Sequence, residues 1–298
     1  MSRTPWKILV ADDDSLFCRL VEERLKDDGH DVLRAASDQA AREVLRRNVV
    51  DLAVLDLQLK GDEPNDMSGL SIALNEAKHI PSLLITNHRK KDIEQFTGML
   101  DRLGAPHSAL PQIIYKHSID QDPALIGLRA AIHDRLVPRV FVVHGHDTAV
   151  RGQVRAKLVE LGLEPVVLVE RPGMGPVFDK LRLAAKRMHF AIVILTGDDL
   201  GNTARKLKPH LESKDRQALA KVRETLKPRA RQNVIFELGY FASLLGIDRV
   251  LVLYEDGVER PSDYEMLHVV LDDRGEWLAQ MVAELKHAGV ERRPYQPK

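Results

Sequence analysis

Two groups of acidic residues stand where acids are costly. Glu237 lies in RARQNVIFELGYFASLL, Arg229 to Leu245, which after its polar start is almost entirely apolar or small. Val234, Leu238, Phe241 and Leu245 recur at i, i+4, i+7 and i+11, so the segment reads as a helix with one face in a core. A turn of about 100° per residue puts Glu237 on the flank of that face beside Phe241 and Leu244, with Phe236 and Tyr240 pointing largely away. A carboxylate there must meet a donor, a cation or a ligand. It is either half of a buried pair with Arg229 or Arg231, which physics alone favours, or a working group.

The second group follows the apolar strand KILVA, Lys7 to Ala11, which runs straight into Asp12, Asp13 and Asp14. Asp14 or Ser15 can cap the helix Leu16 to Leu25, which accounts for one acid. Another apolar strand, Leu52 to Leu55, ends at Asp56. In a parallel sheet the carboxyl ends of neighbouring strands meet in one crevice. Asp12, Asp13 and Asp56 then repel one another unless a hard cation such as Mg²⁺ sits among them. LLIT ends at Thr86 and QIIYK at Lys116, so a hydroxyl and an ammonium arrive at the same edge.

A third constellation, His144-Gly145-His146-Asp147, follows the strand Val140 to Val143. The paired histidines suggest a metal, but capping of the next helix by Asp147 or Thr148 explains the turn better, and no second cluster supplies ligands. Gly145 permits close backbone approach, and helix N-terminal amides suit a diphosphate. Asp198 and Asp199, after the buried strand Phe190 to Leu195, are expected to cap a helix. From Gly201 to Gln232 the chain is polar and rich in Lys and Arg, which reads first as a solvated face. Because the run ends beside Glu237, Arg229, Arg231 and Gln232 are also candidates to meet phosphates.

The elements that position these residues alternate. Helical patterns at Asp38 to Arg47, Leu70 to Ala77, Lys91 to Leu103 and Pro123 to Leu136 separate the first set of strands. In the second set come the helix after Asp147, strands at Pro165 to Val169, Val250 to Leu253 and Met266 to Leu271, and a closing amphipathic helix, Trp277 to His287. This βα alternation predicts an α/β class with two doubly wound parallel-sheet domains of the flavodoxin-like kind in tandem, residues 1–136 and 137–298. The 298 residues, 44% hydrophobic, are enough for two cores. The junction Val137-Pro138-Arg139 has no Gly/Ser spacer, so the halves are expected to couple as rigid bodies.

Composition narrows the function. The single cysteine, Cys18, excludes an internal disulfide and a cysteine-based zinc site. No segment reaches the roughly 18 apolar residues of a membrane span, and the start lacks a signal-peptide core, so a cytoplasmic protein without membrane contact is expected. Residues 1–136 carry 18 Lys and Arg against 22 Asp and Glu, and the remainder 26 against 22. So mild an asymmetry, without a concentrated basic recognition helix, argues against DNA as a partner.

The first half resembles the response-regulator receiver domain over about Lys7 to Leu136. Asp56 matches the phosphoacceptor, Asp12 and Asp13 the metal-binding acids, Thr86 the phosphoryl-sensing hydroxyl and Lys116 the paired cation. The resemblance implies Mg²⁺ as cofactor and a histidine kinase or phosphotransfer protein as partner. Two departures stand out. The stretch LQLKGDEPNDMSG after Asp56 is longer than usual, and its acids Asp62, Glu63 and Asp66 are expected to perturb or shield the metal site. Ile113 stands where an aromatic switch residue is usual, and Tyr115 is expected to pack on the opposite face.

The second half resembles a TIR-like, nucleotide-binding domain of the bacterial CAP12/PCTIR type. The resemblance is carried in order by VFVVHGHD, VERPGMGP, FAIVILTGDD, RARQNVIFELGYF and RVLVLYEDGVERPSD. It implies that Glu237 is the catalytic residue of NAD⁺ cleavage and that His144 and Gly145 form one wall of the nucleotide pocket. It also implies that the loop from Glu170 to Pro176 gates that pocket. The combined expectation is a signalling protein in which phosphorylation of Asp56 controls cleavage of the nicotinamide–ribose bond of NAD⁺, with homo-oligomers forming on activation. The competing reading is a TIR-like module that binds a nucleotide or a protein without turning it over.

Overall fold

The structure, a computed structural model, describes residues 5–60, 66–88, 111–119, 122, 125–167, 181–182, 185, 187–212, 218–261 and 267–292. The chain divides into two compact units, with the division between Leu136 and Val137.

In the first unit a parallel sheet is ordered β2-β1-β3-β4-β5. Its strands are β1 (Lys7–Ala11), β2 (Asp31–Ala35), β3 (Leu52–Asp56), β4 (Ser82–Thr86) and β5 (Gln112–Tyr115). The period-two alternation of the strands sends Ile8, Val10, Val54 and Ile85 into one core layer with Phe17, Val21 and Leu25 of the helix Ser15–Asp27. Leu9, Ala11, Leu55 and Leu84 enter the other, with Ala41 and Ile72 from the helices Asp38–Arg47 and Ser68–Leu74. Asp14 is the first helix's cap, accepting from Leu16 and Phe17. The helix expected from Leu70 starts two residues earlier, and β2, too polar to show a pattern, had no counterpart in the sequence reading.

The last helix of this unit runs Ile126–Arg135, entered through a left-handed Leu125 whose side chain is buried. Its expected start at Pro123 and the expected helix Lys91 to Leu103 lie outside the described residues. Ile113 packs on one core layer and Ile114 on the other. Alternation therefore puts Tyr115 on the side of Ile113, not the opposite face as expected, and its ring lies 5.5 Å from that of His117.

The second unit repeats the arrangement, with a parallel sheet ordered β12-β11-β8-β6-β7. Here β6 is Arg139–Val143, β7 Glu164–Val166, β8 Phe190–Leu195, β11 Val250–Glu255 and β12 Leu267–Leu271. Val140, Val142, Ile192 and Ile194 face the helices Thr148–Glu160 and Glu276–His287. Phe141, Val143, Val193 and Leu195 face Val234, Leu238 and Phe241 of the helix Gln232–Leu245, as its spacing predicts. Phe141 and Phe241 meet with ring centroids 4.5 Å apart.

The segment Gly201 to Gln232 is not uniformly irregular. It holds the helices Ala204–Leu211 and Ala218–Thr225, and β9 (Asp199–Gly201) pairs antiparallel with β10 (Lys227–Arg229). Asp199 is thus in a strand and caps nothing. Among the described residues no helix is long and apolar enough to cross a membrane.

Candidate functional site

Both sheets change direction between their first and third strands, β1/β3 and β6/β8, and ligands of open α/β sheets bind at the carboxyl end of such a crevice. Asp12, Asp13, Asp56 and Lys116 gather at the first of these edges, and His144 and Asp198 lie at the second.

At the first edge, carboxylate oxygens of Asp12, Asp13 and Asp56 lie within 4.8 Å of one another. Asp12 and Asp56 are buried, and Asp13 is exposed. Lys116, buried at the end of β5, sets its Nζ 2.5 Å from Asp56 Oδ2 and 2.8 Å from Asp12 Oδ2. The same ammonium stands 5.2 Å from the ring centroid of Phe17, a contact the sequence did not suggest. Asp14 N donates to Asp12 Oδ1 at 2.9 Å, and Gln58 N donates to Asp56 Oδ1 at 3.2 Å. Thr86, buried at the end of β4, accepts from His88 N at 3.1 Å and keeps its hydroxyl proton for another acceptor.

Burial pushes the Asp12 carboxyl up to about 6, against the pull of Lys116, and raises that of Asp56 as well. Burial works against the Lys116 ammonium, but its bonds to Asp12 and Asp56 outweigh it and hold the ammonium above the usual lysine range. Asp12 Oδ2 accepts no aligned hydrogen bond although Lys116 lies near it. An all-oxygen set with one buried oxygen unspent fits a hard divalent cation such as Mg²⁺.

Asp66 does not shield this edge as expected. It turns into its own loop, accepting from Leu59 N at 2.8 Å, Lys60 N at 3.0 Å, Ser68 N at 3.0 Å and Ser68 Oγ at 2.8 Å. These bonds outweigh its burial and lower its carboxyl. Asp62 and Glu63 lie outside the described residues. Gly69 presses on the Asp56 backbone so closely that a Cβ there would overlap the Asp56 carbonyl.

In the second unit Glu237 is half-buried in the second turn of its helix, and burial pushes its carboxyl up to about 7. Among the described residues nothing hydrogen-bonds or ion-pairs with it, so the buried pair with Arg229 or Arg231 that physics alone favours is not formed there. Arg229 instead lays its guanidinium against Gly201 across the β9–β10 ribbon. Arg231 occupies the N-cap position and Gln232 the exposed first turn of the helix that carries Glu237. Phe236 is exposed as expected, but so is Leu244, which the sequence placed beside the core face.

The His144 turn differs from its sequence reading. His144 is half-buried, its Nδ1 is 2.7 Å from Gly145 O and its Nε2 3.4 Å from Arg151 Nη1, which assigns the ring proton to Nδ1. Burial lowers its pKa. Asp147 is the helix cap, with Oδ1 accepting from Ala149 N at 2.8 Å and Val150 N at 3.0 Å. Asp198 crosses from the end of β8 and accepts from His146 N at 3.0 Å. It fills the space where a Gly145 Cβ would be.

One expectation is corrected by this geometry. Gly145 lies against the Asp198 carboxylate, and the amides of His146, Ala149 and Val150 hold Asp198 and Asp147. Asp198 joins two loops and caps no helix. Neither it nor Arg151 was recognisable, because their partners lie on other elements. The His144 turn takes no part in a metal-type cluster among the described residues. The loop from Glu170 to Pro176 lies outside them.

Residues 8–101 match the response regulator receiver domain family, and residues 139–270 match the CAP12/Pycsar effector protein TIR domain family. The uncharacterized protein YuaY of Escherichia coli K12 is 34% identical over 238 residues, covering 77% of this chain and 71% of its own length. Protein tirC of Dictyostelium discoideum is 33% identical over 116 residues, 39% of this chain and 51% of tirC. A solved CheY-like receiver domain from Methanospirillum hungatei covers 45% of this chain and 94% of its own at 21% identity, with a TM-score of 0.34.

Proposed function

The chain belongs to one family with Escherichia coli YuaY and joins a response regulator receiver domain to a CAP12/Pycsar-type TIR domain, and from that premise we propose that phosphorylation of Asp56 controls cleavage of NAD⁺ by Glu237. A histidine kinase or phosphotransfer protein is the phosphoryl donor. Asp56 is the nucleophile, Thr86 and Lys116 receive the phosphoryl oxygens, and Asp12, Asp13 and Asp56 are the residues that would hold Mg²⁺, which would supply positive charge against the phosphoryl oxygens.

The observation that carries the second half is Glu237, a half-buried carboxylate with no bonding partner among the described residues and a pKa pushed up to about 7. Groups so placed are enriched at working sites. The reaction asks little else of the protein. The bond from ribose C1′ to the nicotinamide ring nitrogen breaks with its electron pair going to the ring, so nicotinamide leaves neutral and needs no general acid. The sugar becomes oxocarbenium-like, one ionised carboxylate beside it stabilises the positive charge, and a nucleophile, water in hydrolysis, adds at C1′ and gives its proton to solvent.

The test is nicotinamide release from NAD⁺ by the full chain, with and without beryllofluoride and Mg²⁺. Release should rise with the phosphoryl mimic, lose that rise in Asp56→Asn, and fall by about 10²–10³ in a folded Glu237→Gln. Full turnover by folded Glu237→Gln, or none by the wild type in either state, refutes the reading.

A further inference from the structure

The turn after β6 leaves one carboxylate oxygen open. Asp198 Oδ2 is fixed by the His146 amide at 3.0 Å and lodged at Gly145, while Oδ1 accepts no hydrogen bond among the described residues. Two residues earlier Thr196, 5% exposed, holds an Oγ1 with no partner among the described residues. Continuing the alternation of β8, Thr196 follows Ile192 and Ile194, and His144 follows Val140 and Val142, so the two emerge on one side of the sheet at the β6/β8 crevice.

The other acids there are spent: Asp147 on Ala149 and Val150, and Glu255 on Gly197 N at 3.0 Å. What remains is a fixed acceptor and a buried hydroxyl, with the Arg151 guanidinium beside His144. A fixed carboxylate acceptor suits a neutral group that donates hydrogen bonds, which in a dinucleotide is a ribose diol.

We propose that Asp198 accepts the hydroxyls of the adenosine ribose of the dinucleotide and that its charge makes the site refuse a 2′-phosphorylated one. The assignment to that ribose rests on the reading that Glu237 serves the nicotinamide ribose. A dinucleotide lies across the switch-point crevice with its two sugars apart, so a second carboxylate has the second sugar to bind. A 2′-phosphate would bring about −1.5 to −2 charges against Asp198.

The test is titration of NAD⁺ and NADP⁺ into the full-length Glu237→Gln protein, which binds without turnover, and into Glu237→Gln/Asp198→Asn. Asparagine keeps an acceptor for the His146 amide and loses the charge. The NAD⁺ over NADP⁺ preference should fall by about 10- to 100-fold, the size of a lost hydrogen bond to a charged group. Gly145→Ala in the same background, by evicting the carboxylate, should move the preference in the same direction. If Asp198 is only a strut between loops, both variants lower the melting temperature and leave the preference unchanged, which overturns the proposal.

Nicotinamide release by the wild type separates this from the reading beneath it. Release with an unchanged preference removes the role of Asp198 alone. Absent release with a collapsed preference removes catalysis and keeps Asp198. No binding of either dinucleotide removes both.

Discussion

The two units share a strand order and a switch point, yet treat their acids differently. In the receiver, Lys116 reaches both Asp12 and Asp56 and stands on Phe17, so the chain supplies the countercharge. In the TIR-like unit Glu237 has no countercharge among the described residues, and burial alone sets its pKa. The first edge is a preset charge balance, which a phosphoryl group or a cation can tip. The second is unbalanced, so that its carboxyl holds a proton more tightly than an ordinary glutamate. One fold thus holds a balanced and an unbalanced acidic edge, and the residue that balances the first is the lysine that follows its fifth strand.

The largest effect should come from undoing that balance. Lys116→Met leaves two buried carboxylates facing each other and should cost on the order of 3–5 kcal/mol, as for a broken buried pair. Each unit holds one of the two tryptophans, so urea unfolding followed by Trp6 fluorescence in a Trp277→Phe background isolates the receiver transition. Saturating Mg²⁺ should restore part of the loss. A change below about 1 kcal/mol would mean that the acids relax without Lys116, and the comparison would lose its basis.

What the sequence made legible follows from the range of the interactions. The core strand Phe190 to Leu195 and the helix Asp38 to Arg47 show their periodicity locally, and their observed bounds are those read from the sequence. The meeting of Asp12, Asp13 and Asp56 followed from the rule that parallel strands share an edge. The β9–β10 ribbon was illegible because each strand is three residues long and lies in a polar run, with its pairing set by contacts across more than twenty residues. Asp198 was misread for a related reason. An acid after a buried strand is a sound helix-cap signal, and only the folded chain brings it over Gly145.

Two glycines sharpen the contrast at intermediate cost. At Gly69 a Cβ would meet the Asp56 backbone, which cannot swing aside, whereas at Gly145 it would meet the Asp198 side chain, which can. Gly69→Ala should therefore cost about 1–3 kcal/mol, as overpacking does, and slow acetyl phosphate labelling of Asp56. Gly145→Ala should change stability by less than about 1 kcal/mol. Melting of both variants beside the wild type checks the order. A Gly145→Ala cost equal to that of Gly69→Ala would show that the His144 turn is as rigid as the phosphoacceptor loop.

The smallest effect is the most direct reading of the uncompensated acid. The folded state holds the Glu237 proton up to about pH 7, above the ordinary value of 4.5, so its contribution to stability is complete below that ordinary value. It is lost as pH rises through 7, where the folded chain must bury an ionised carboxylate. Glutamine carries no such charge. Glu237→Gln should match the wild type near pH 4 and become the more stable protein by pH 8. Discounted for its contact with water, the gain is about 1–2 kcal/mol, a rise of a few degrees in melting temperature. A glutamate held in a structural ion pair gives the opposite sign, with the variant destabilised at neutral pH and above. Melting curves at pH 4 and pH 8 decide between them without any substrate, and a variant less stable at pH 8 would put a countercharge beside Glu237 and make the two edges alike.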